Sequence, residues 1–222
     1  VSTAGFKSDT LITSNFRNEI VSRIGNKDKS PVAVGEMSDI RSAVSTVTDY
    51  SNCGYLPSES AFDMALTGNG FFVVQTPEGE VYTRDGSFSL DEEGYLVLPS
   101  IGRGMGENGP IAFDTDQFRV TPDGSIYRLE DDSLMGRLQV VDFPDYELDL
   151  LKSGNNVFTS VGAAPQPVQP QIQWKALESS NVNAVEEMTS MMSSQRALQS
   201  AAQVLKMYDQ LTGKIVSQLG PV

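Results

Sequence analysis

The clustered carboxylates are this sequence's first candidates for chemistry. Asp114 and Asp116 flank Thr115, and Glu130, Asp131 and Asp132 run together; oxygen ligands so spaced suit a hard cation. Neither cluster continues into a loop with the glycine and terminal glutamate of an EF-hand, so both read as solvated loops. Gly68, Asn69 and Gly70 form a G-x-G, but it precedes the strand-like Phe71-Phe72-Val73-Val74, whereas a dinucleotide fingerprint follows a strand and opens a helix. It reads as a turn. Trp174, Tyr146 and Tyr127 offer faces on which a sugar could stack, and 29 acidic residues could include the two carboxylates of a glycosidase. Packing is the ordinary role of such aromatics, and no spacing singles out a carboxylate pair.

What is missing narrows the field further. The chain has no histidine, the commonest general base, metal ligand and partner of a serine or cysteine nucleophile. Cys53 is the sole cysteine, so no intrachain disulfide can form, and it reads as a small half-buried residue. Against those 29 acidic residues stand 16 basic ones, a net charge of −13, which disfavours nucleic acid and anionic membrane surfaces as partners. There is no apolar run long enough to span a bilayer, and Val1 to Thr10 lacks the basic and apolar segments of a cleavable signal. No catalytic, cofactor-binding or metal-binding residue is assigned.

The elements that would position any site are mainly β. In residues 6–25, Leu11, Ile12, Phe16, Ile20 and Ile24 fall at helical spacing, which predicts a short amphipathic helix ended by Gly25, with the polar residues 26–31 as a linker. From residue 36 the chain turns β-branched and interrupted by serine and threonine, which suits exposed strands. The stretch FFVVQTPEGEVYTRDGSFSLDEEGYLVL, residues 71–98, alternates apolar runs with the turn signals TPEG, RDG and DEEG. Within it Val81 and Thr83 face one side and Tyr82 and Arg84 the other, a half-buried pattern. FRVTPDGSIYRL predicts a hairpin about Asp123 and Gly124, and strand character runs on to Pro144. Three prolines between 165 and 170 make residues 161–173 an extended connector. The expected organisation is 1–35 helical segment and linker, 36–160 β-rich domain, 161–180 connector returning to the core, and 181–222 terminal assembly helix.

That last helix is marked at both ends. Asn181 or Asn183 can cap it, Glu186 and Glu187 suit its first turn, Lys214 suits its last turns, and Gly220-Pro221 stops it. Leu198, Ala201, Leu205, Tyr208, Ile215 and Leu219 follow spacings of three and four, with Thr212 at the one polar step and Met191 extending the series backwards. This is a coiled-coil seam, and Val185, Met188 and Met192 widen it near the start. About 36 residues at 1.5 Å each give a helix of about 54 Å, longer than a small domain is wide. It predicts a partner helix, since a lone helix is only marginally stable in water.

Several stretches, in order, resemble one family. VSTAGFK is similar to the end of the motif that closes the first helix of flagellar axial proteins, and GEMSDIRSAV also matches the pattern. FDMALTGNGFFVVQTPEGEVYTRDGSFSLDEEGYLVL resembles the signature of rod and hook subunits, GRLQVVDFPDYELDLLKSGNNVFT their later β segment, and LESSNVNAVEEMTSMMSSQRALQ the start of their terminal helix. The compact middle, GENGPIAFDTDQFRVTPDGSIY, is closer to the proximal rod type than to the distal type. The resemblance implies a non-enzymatic structural subunit of the bacterial flagellar basal body, exported by the flagellar apparatus without signal cleavage and built into a helical tube with its own copies and other axial proteins. It further implies that terminal helices pair in the inner layer of that tube. The family motif begins with a long N-terminal helix, so the chain, opening inside the motif at Val1, is expected to lack the helix that faces the seam. The expected assembly residues are Met188, Met191, Leu198, Ala201, Leu205, Tyr208, Ile215 and Leu219. The rival expectation is a secreted carbohydrate- or metal-binding β protein, with an adhesin or export chaperone as a third.

Overall fold

The computed structural model describes residues 3–15, 18–23, 32–38 and 41–219, with side chains for 3–12 and 45–214. The chain divides into two units, Ser2–Asn181 and a tail from Val182. The first is built of strands, the second is one helix, Ala184–Leu219. A β-rich protein with a long C-terminal helix is thus what the sequence pattern predicts.

The amphipathic helix expected over residues 6–25 is not there. Asp9–Asn15 and Asn18–Arg23 are strands, paired antiparallel with Arg41–Thr48 and Val32–Ser38. Asn15 faces Arg41 in the first pair and Asn18 faces Ser38 in the second. β-branched Thr10, Ile12 and Thr13, with a complementary Ser/Thr/Val-rich strand thirty residues on, outweigh the helical spacing. Leu11 and Ile12 are 58% and 46% exposed, so their spacing recorded no buried face. Phe16, Ile24, Gly25 and the linker 26–31 lie outside the described residues, as does the stop at Gly220-Pro221. Residues 36–38 and 41–48 are strand, as their β-branched content predicts.

Among the described residues the main sheet has 10 strands, centred on the hairpin Phe71–Thr76 and Gly79–Thr83. Gly102–Gly106 and Val140–Asp142 flank the first strand, and Val157–Ser160 flanks the second. The half-buried pattern expected for Glu80 to Arg84 does not hold, because Val81, Tyr82, Thr83 and Arg84 are all buried. Both faces of this strand are covered. Phe72, Val74 and Val81 join one apolar cluster with Leu96, Ile126 and Leu138, while Phe71, Val73 and Tyr82 join a second with Phe143 and Phe158. Strand alternation sends successive side chains to opposite faces, so this one hairpin feeds both cores.

The PDG hairpin forms as expected, Phe118–Val120 pairing with Ser125–Arg128. Gly124 supplies the positive φ of 78° that its turn requires. Strand character ends before Pro144 and a short helix, Tyr146–Asp149, follows, capped by Asp145, whose carboxylate accepts from the amides of Glu147 and Leu148. Beyond the prolines the chain is extended and returns to the first unit: Ile172–Trp174 pairs with Met64–Leu66, and Ala176–Glu178 with Tyr55–Pro57. Lys175, at φ 55°, makes the bend between those two strands.

Candidate functional site: the tail helix and its root

The residues singled out for small-molecule chemistry are absorbed into the fold. Asp114 pairs with Arg128, which also reaches Asp131 at 3.8 Å, and Asp132 pairs with Arg119 at 3.1 Å. Among the described residues no three of His, Cys, Asp or Glu gather as ligands for a metal ion. Trp174 donates its indole N–H to the Ala61 carbonyl at 2.6 Å and packs beside Phe118, and Tyr127 lies under the Arg119 guanidinium. Tyr146 donates its hydroxyl to Asp142 at 2.5 Å; burial first, and this bond second, push its pKa up to about 12. Gly70, at φ 106°, turns the chain into Phe71–Thr76, with the Val141 carbonyl 2.8 Å from where a Cβ would stand. Cys53 is a half-buried free thiol.

A groove of about 910 Å³ runs between Val47–Tyr50 and the segment Asp142–Glu147. Tyr50 lines it, its ring tilted against Tyr146 at 5.1 Å and Phe158 at 5.5 Å. Three of the groove's four carboxylates are committed locally: Asp49 to the Ser51 amide, Asp142 to Tyr146, and Asp145 to the short helix.

The tail helix has the opposite character. The Asn183 side chain accepts from the Val185 amide at 3.1 Å, so Asn183 rather than Asn181 is the cap. Every side chain from Val185 to Lys214 is exposed. Of the predicted seam, Met188, Met191, Leu198, Leu205 and Tyr208 are 63% to 73% exposed. Ala201 is exposed among them, and Ile215 and Leu219 continue the helix without described side chains. Beside that seam lies a row the sequence reading passed over: Val204, Met207 and Leu211, 55% to 60% exposed. Their spacing of three and four is the signal in the sequence that marks them. An apolar strip this wide is what a helix presents to more than one neighbour.

The root of the helix is held by the other end of the chain. Asn181 donates its backbone amide to Phe6 O at 3.2 Å and its side-chain amide to Asp49 O at 2.8 Å, and its side-chain oxygen accepts from the Ser8 amide at 2.7 Å. Two residues earlier, Ser179 donates to Gly54 O, and Gly5 donates to Glu178 O, both at 2.8 Å. Beneath these bonds lies a buried ion cluster: Lys7 Nζ is 2.7 Å from Glu178 Oε1, and Arg84 approaches Glu178 Oε2 at 3.6 Å. No spacing rule could have found it, since its members come from three distant segments.

A helix with so much apolar surface, rooted where the two ends of a β unit meet, is the geometry of a subunit that builds a larger assembly. Residues 175–219 match the family model described as flagellar basal body rod FlgEFG protein C-terminal, and residues 65–128 match flagellar hook protein FlgE/F/G D1 domain. The chain is 35% identical to flagellar basal-body rod protein FlgF of Caulobacter vibrioides, over 72% of this chain and 66% of that protein. It is 31% identical to FlgF of Mesorhizobium japonicum, over 72% of this chain and 67% of that one. With FlgG of Buchnera aphidicola it shares 29% identity over 99% of this chain and 89% of the relative. The chain belongs to the flagellar basal-body rod protein family, and its β unit and tail are those of a structural component of the basal body. Relatives of both rod types are represented, FlgF at higher identity over a shorter stretch and FlgG across nearly the whole chain, so they do not choose the proximal type over the distal.

Proposed function

We propose that this subunit assembles with its own copies and with other axial proteins of the flagellum through the tail helix. The seam of Met188, Met191, Leu198, Ala201, Leu205, Tyr208, Ile215 and Leu219 packs against neighbouring helices in a coiled-coil manner, and the β unit makes the outer contacts. The protein does no catalysis; its work is mechanical, and torque passes through many repeated contacts, each of which can be modest. The observation that carries this reading is the exposure of the apolar side chains along the tail, Val185 through Leu211. Burying each large one on a neighbour contributes about 1.5–3 kcal/mol, which compensates for the marginal stability of a lone helix. Head-to-tail contacts that do not close on themselves generate a filament.

The joining of residues 5–8 to 178–181 supports the same reading, because it fastens the segment from which the tail springs to the rest of the β unit. As a member of the rod family, the chain reaches the rod as cargo of the flagellar export apparatus.

The experiment is complementation of a strain lacking the gene. Leu198→Asp with Leu205→Asp should abolish swimming and rod assembly while the purified protein keeps the thermal transition of its β unit. Gln199→Asp, on an exposed polar position of the same helix, should swim as wild type. Normal motility of the double variant removes the seam from assembly.

A further inference from the structure

Lys7, Arg84 and Glu178 are 1%, 2% and 1% exposed, and they belong to neither apolar cluster. Each comes from a different place: Lys7 from the first described segment, Arg84 from the end of the central hairpin, Glu178 from the returning strand. Glu178 Oε1 accepts from Lys7 Nζ at 2.7 Å, and Lys7 also donates to Ser51 O at 2.7 Å. Arg84 donates to Gly68 O at 2.9 Å and lies over the Phe71 ring at 5.3 Å. Its approach to Glu178 Oε2, at 3.6 Å, is an ion pair without a hydrogen bond, and Arg84 Nε and Glu178 Oε2 have no hydrogen-bond partner. One buried anion thus serves two buried cations.

We propose that these three residues form a latch, holding the two ends of the β unit together and opening as one cooperative piece before the sheet does. Removing one member of a buried ion cluster leaves the others uncompensated in a medium of low dielectric, so no member can let go alone. Opening all three at once returns every charge to water, which offsets most of the interaction lost. What else joins the ends is chiefly hydrogen bonds: Gly5 to Glu178, Ser8 to Asn181, Asn181 to Phe6, Ser179 to Gly54, and the Asn156 side chain to Ala4 O. Lys152 adds a bond to Lys7 O at 2.6 Å and an ion pair with Asp9 at 2.9 Å. Water replaces such bonds at small net cost, whereas opening the central hairpin would expose Phe71, Phe72 and Phe158. The latch is therefore the lower of the two openings, and it governs the root of the tail at Asn181. It is a property of the single chain and holds whether or not the tail assembles as proposed above.

Native-state hydrogen exchange on the whole chain, across a series of low denaturant concentrations, tests it. The amides of Gly5, Ser8, Ser179 and Asn181 should converge on one opening reaction, less protected than the ladder between Phe71–Thr76 and Gly79–Thr83. Glu178→Gln and Lys7→Met should each speed all four by on the order of a hundredfold, leaving the ladder amides within about twofold. Exchange of the four together with the ladder in the unaltered protein overturns the latch, and so does a variant effect confined to the substituted residue's neighbours or spread over the whole sheet. The unaltered protein's own exchange decides the matter even if a variant fails to fold.

Discussion

Glu178 Oε1 stands 2.7 Å from Lys7 Nζ, joining residues 171 positions apart, and neither side chain is more than 1% exposed. The pair fixes the register between the first and last segments of the β unit. A salt bridge this deeply buried adds little net stability, yet breaking it by halves is costly. Its effect is to specify which backbone groups meet around it.

The tightest of those meetings is at Gly5, whose φ is 60° and whose absent Cβ would stand 2.4 Å from Arg84 O. Gly5→Ala should lower the urea-unfolding free energy by about 2–3 kcal/mol, through backbone strain plus a clash that cannot be relieved by a side-chain rotation. A loss under about 0.5 kcal/mol would mean that the segment is not seated against Arg84.

The two-faced hairpin makes a second prediction. Phe72 is 1% exposed and meets Phe88 edge-on at 5.3 Å, so Phe72→Ala should cost about 3–5 kcal/mol in a chemical denaturation. Leu205→Ala, on the exposed tail, should leave the β unit's midpoint unchanged within about 0.5 kcal/mol. Similar losses at both positions would contradict the burial described for them.

Acid reaches the PDG hairpin through Asp123. Asp123 accepts from the hydroxyls of Thr121 and Ser125 and from Arg137, bonds that hold its carboxyl well below its ordinary value of 3.8. A depressed carboxylate contributes stability that is present above the unfolded value and is lost as pH falls through and below it. Unfolding midpoints of the unaltered protein and Asp123→Asn, compared from neutrality down past pH 3.8, should converge at the acid end; parallel curves would remove Asp123 from that role.

At the alkaline end Tyr146 takes over. Burial and its bond to Asp142 raise its pKa from 10.0 to about 12, so the fold favours the neutral phenol. That contribution is complete below pH 10.0 and is lost as pH rises toward about 12. Tyr146→Phe should cost about 1 kcal/mol near neutrality and flatten the alkaline decline. An unchanged alkaline slope would assign the decline to other groups.

The parts of this fold legible in sequence are those whose signal is local. TPEG and PDG set their hairpins because proline and glycine fix φ where the turn needs it, and Asn183 with Glu186 and Glu187 announces the tail. The strand Asp9–Asn15 is disguised because the Leu11, Ile12, Phe16 and Ile20 spacing imitates a helix, while the signal for a strand lies in its partner Arg41–Thr48. Val81 to Arg84 looked half-buried because alternation says which side a residue faces and nothing about whether that side is covered. Lys7 and Glu178 were invisible as a pair, since charge in a sequence carries no address. The apolar spacing along the tail is local as well, and Val204, Met207 and Leu211 follow the same steps of three and four as Leu198, Ala201 and Leu205.

Trp174 is the chain's sole tryptophan, and its indole is bonded to Ala61 O and packed on Phe118, with Lys175 over the ring. Fluorescence excited at wavelengths that only tryptophan absorbs therefore has one source, seated in the strand that leads to Glu178. Red-shifted emission reports loosening of that strand, and because no emitter of this kind sits beyond it, the same signal is blind to anything the tail does. Dichroism at helical wavelengths sees the tail, so two ordinary spectrometers between them can follow the halves of this molecule separately.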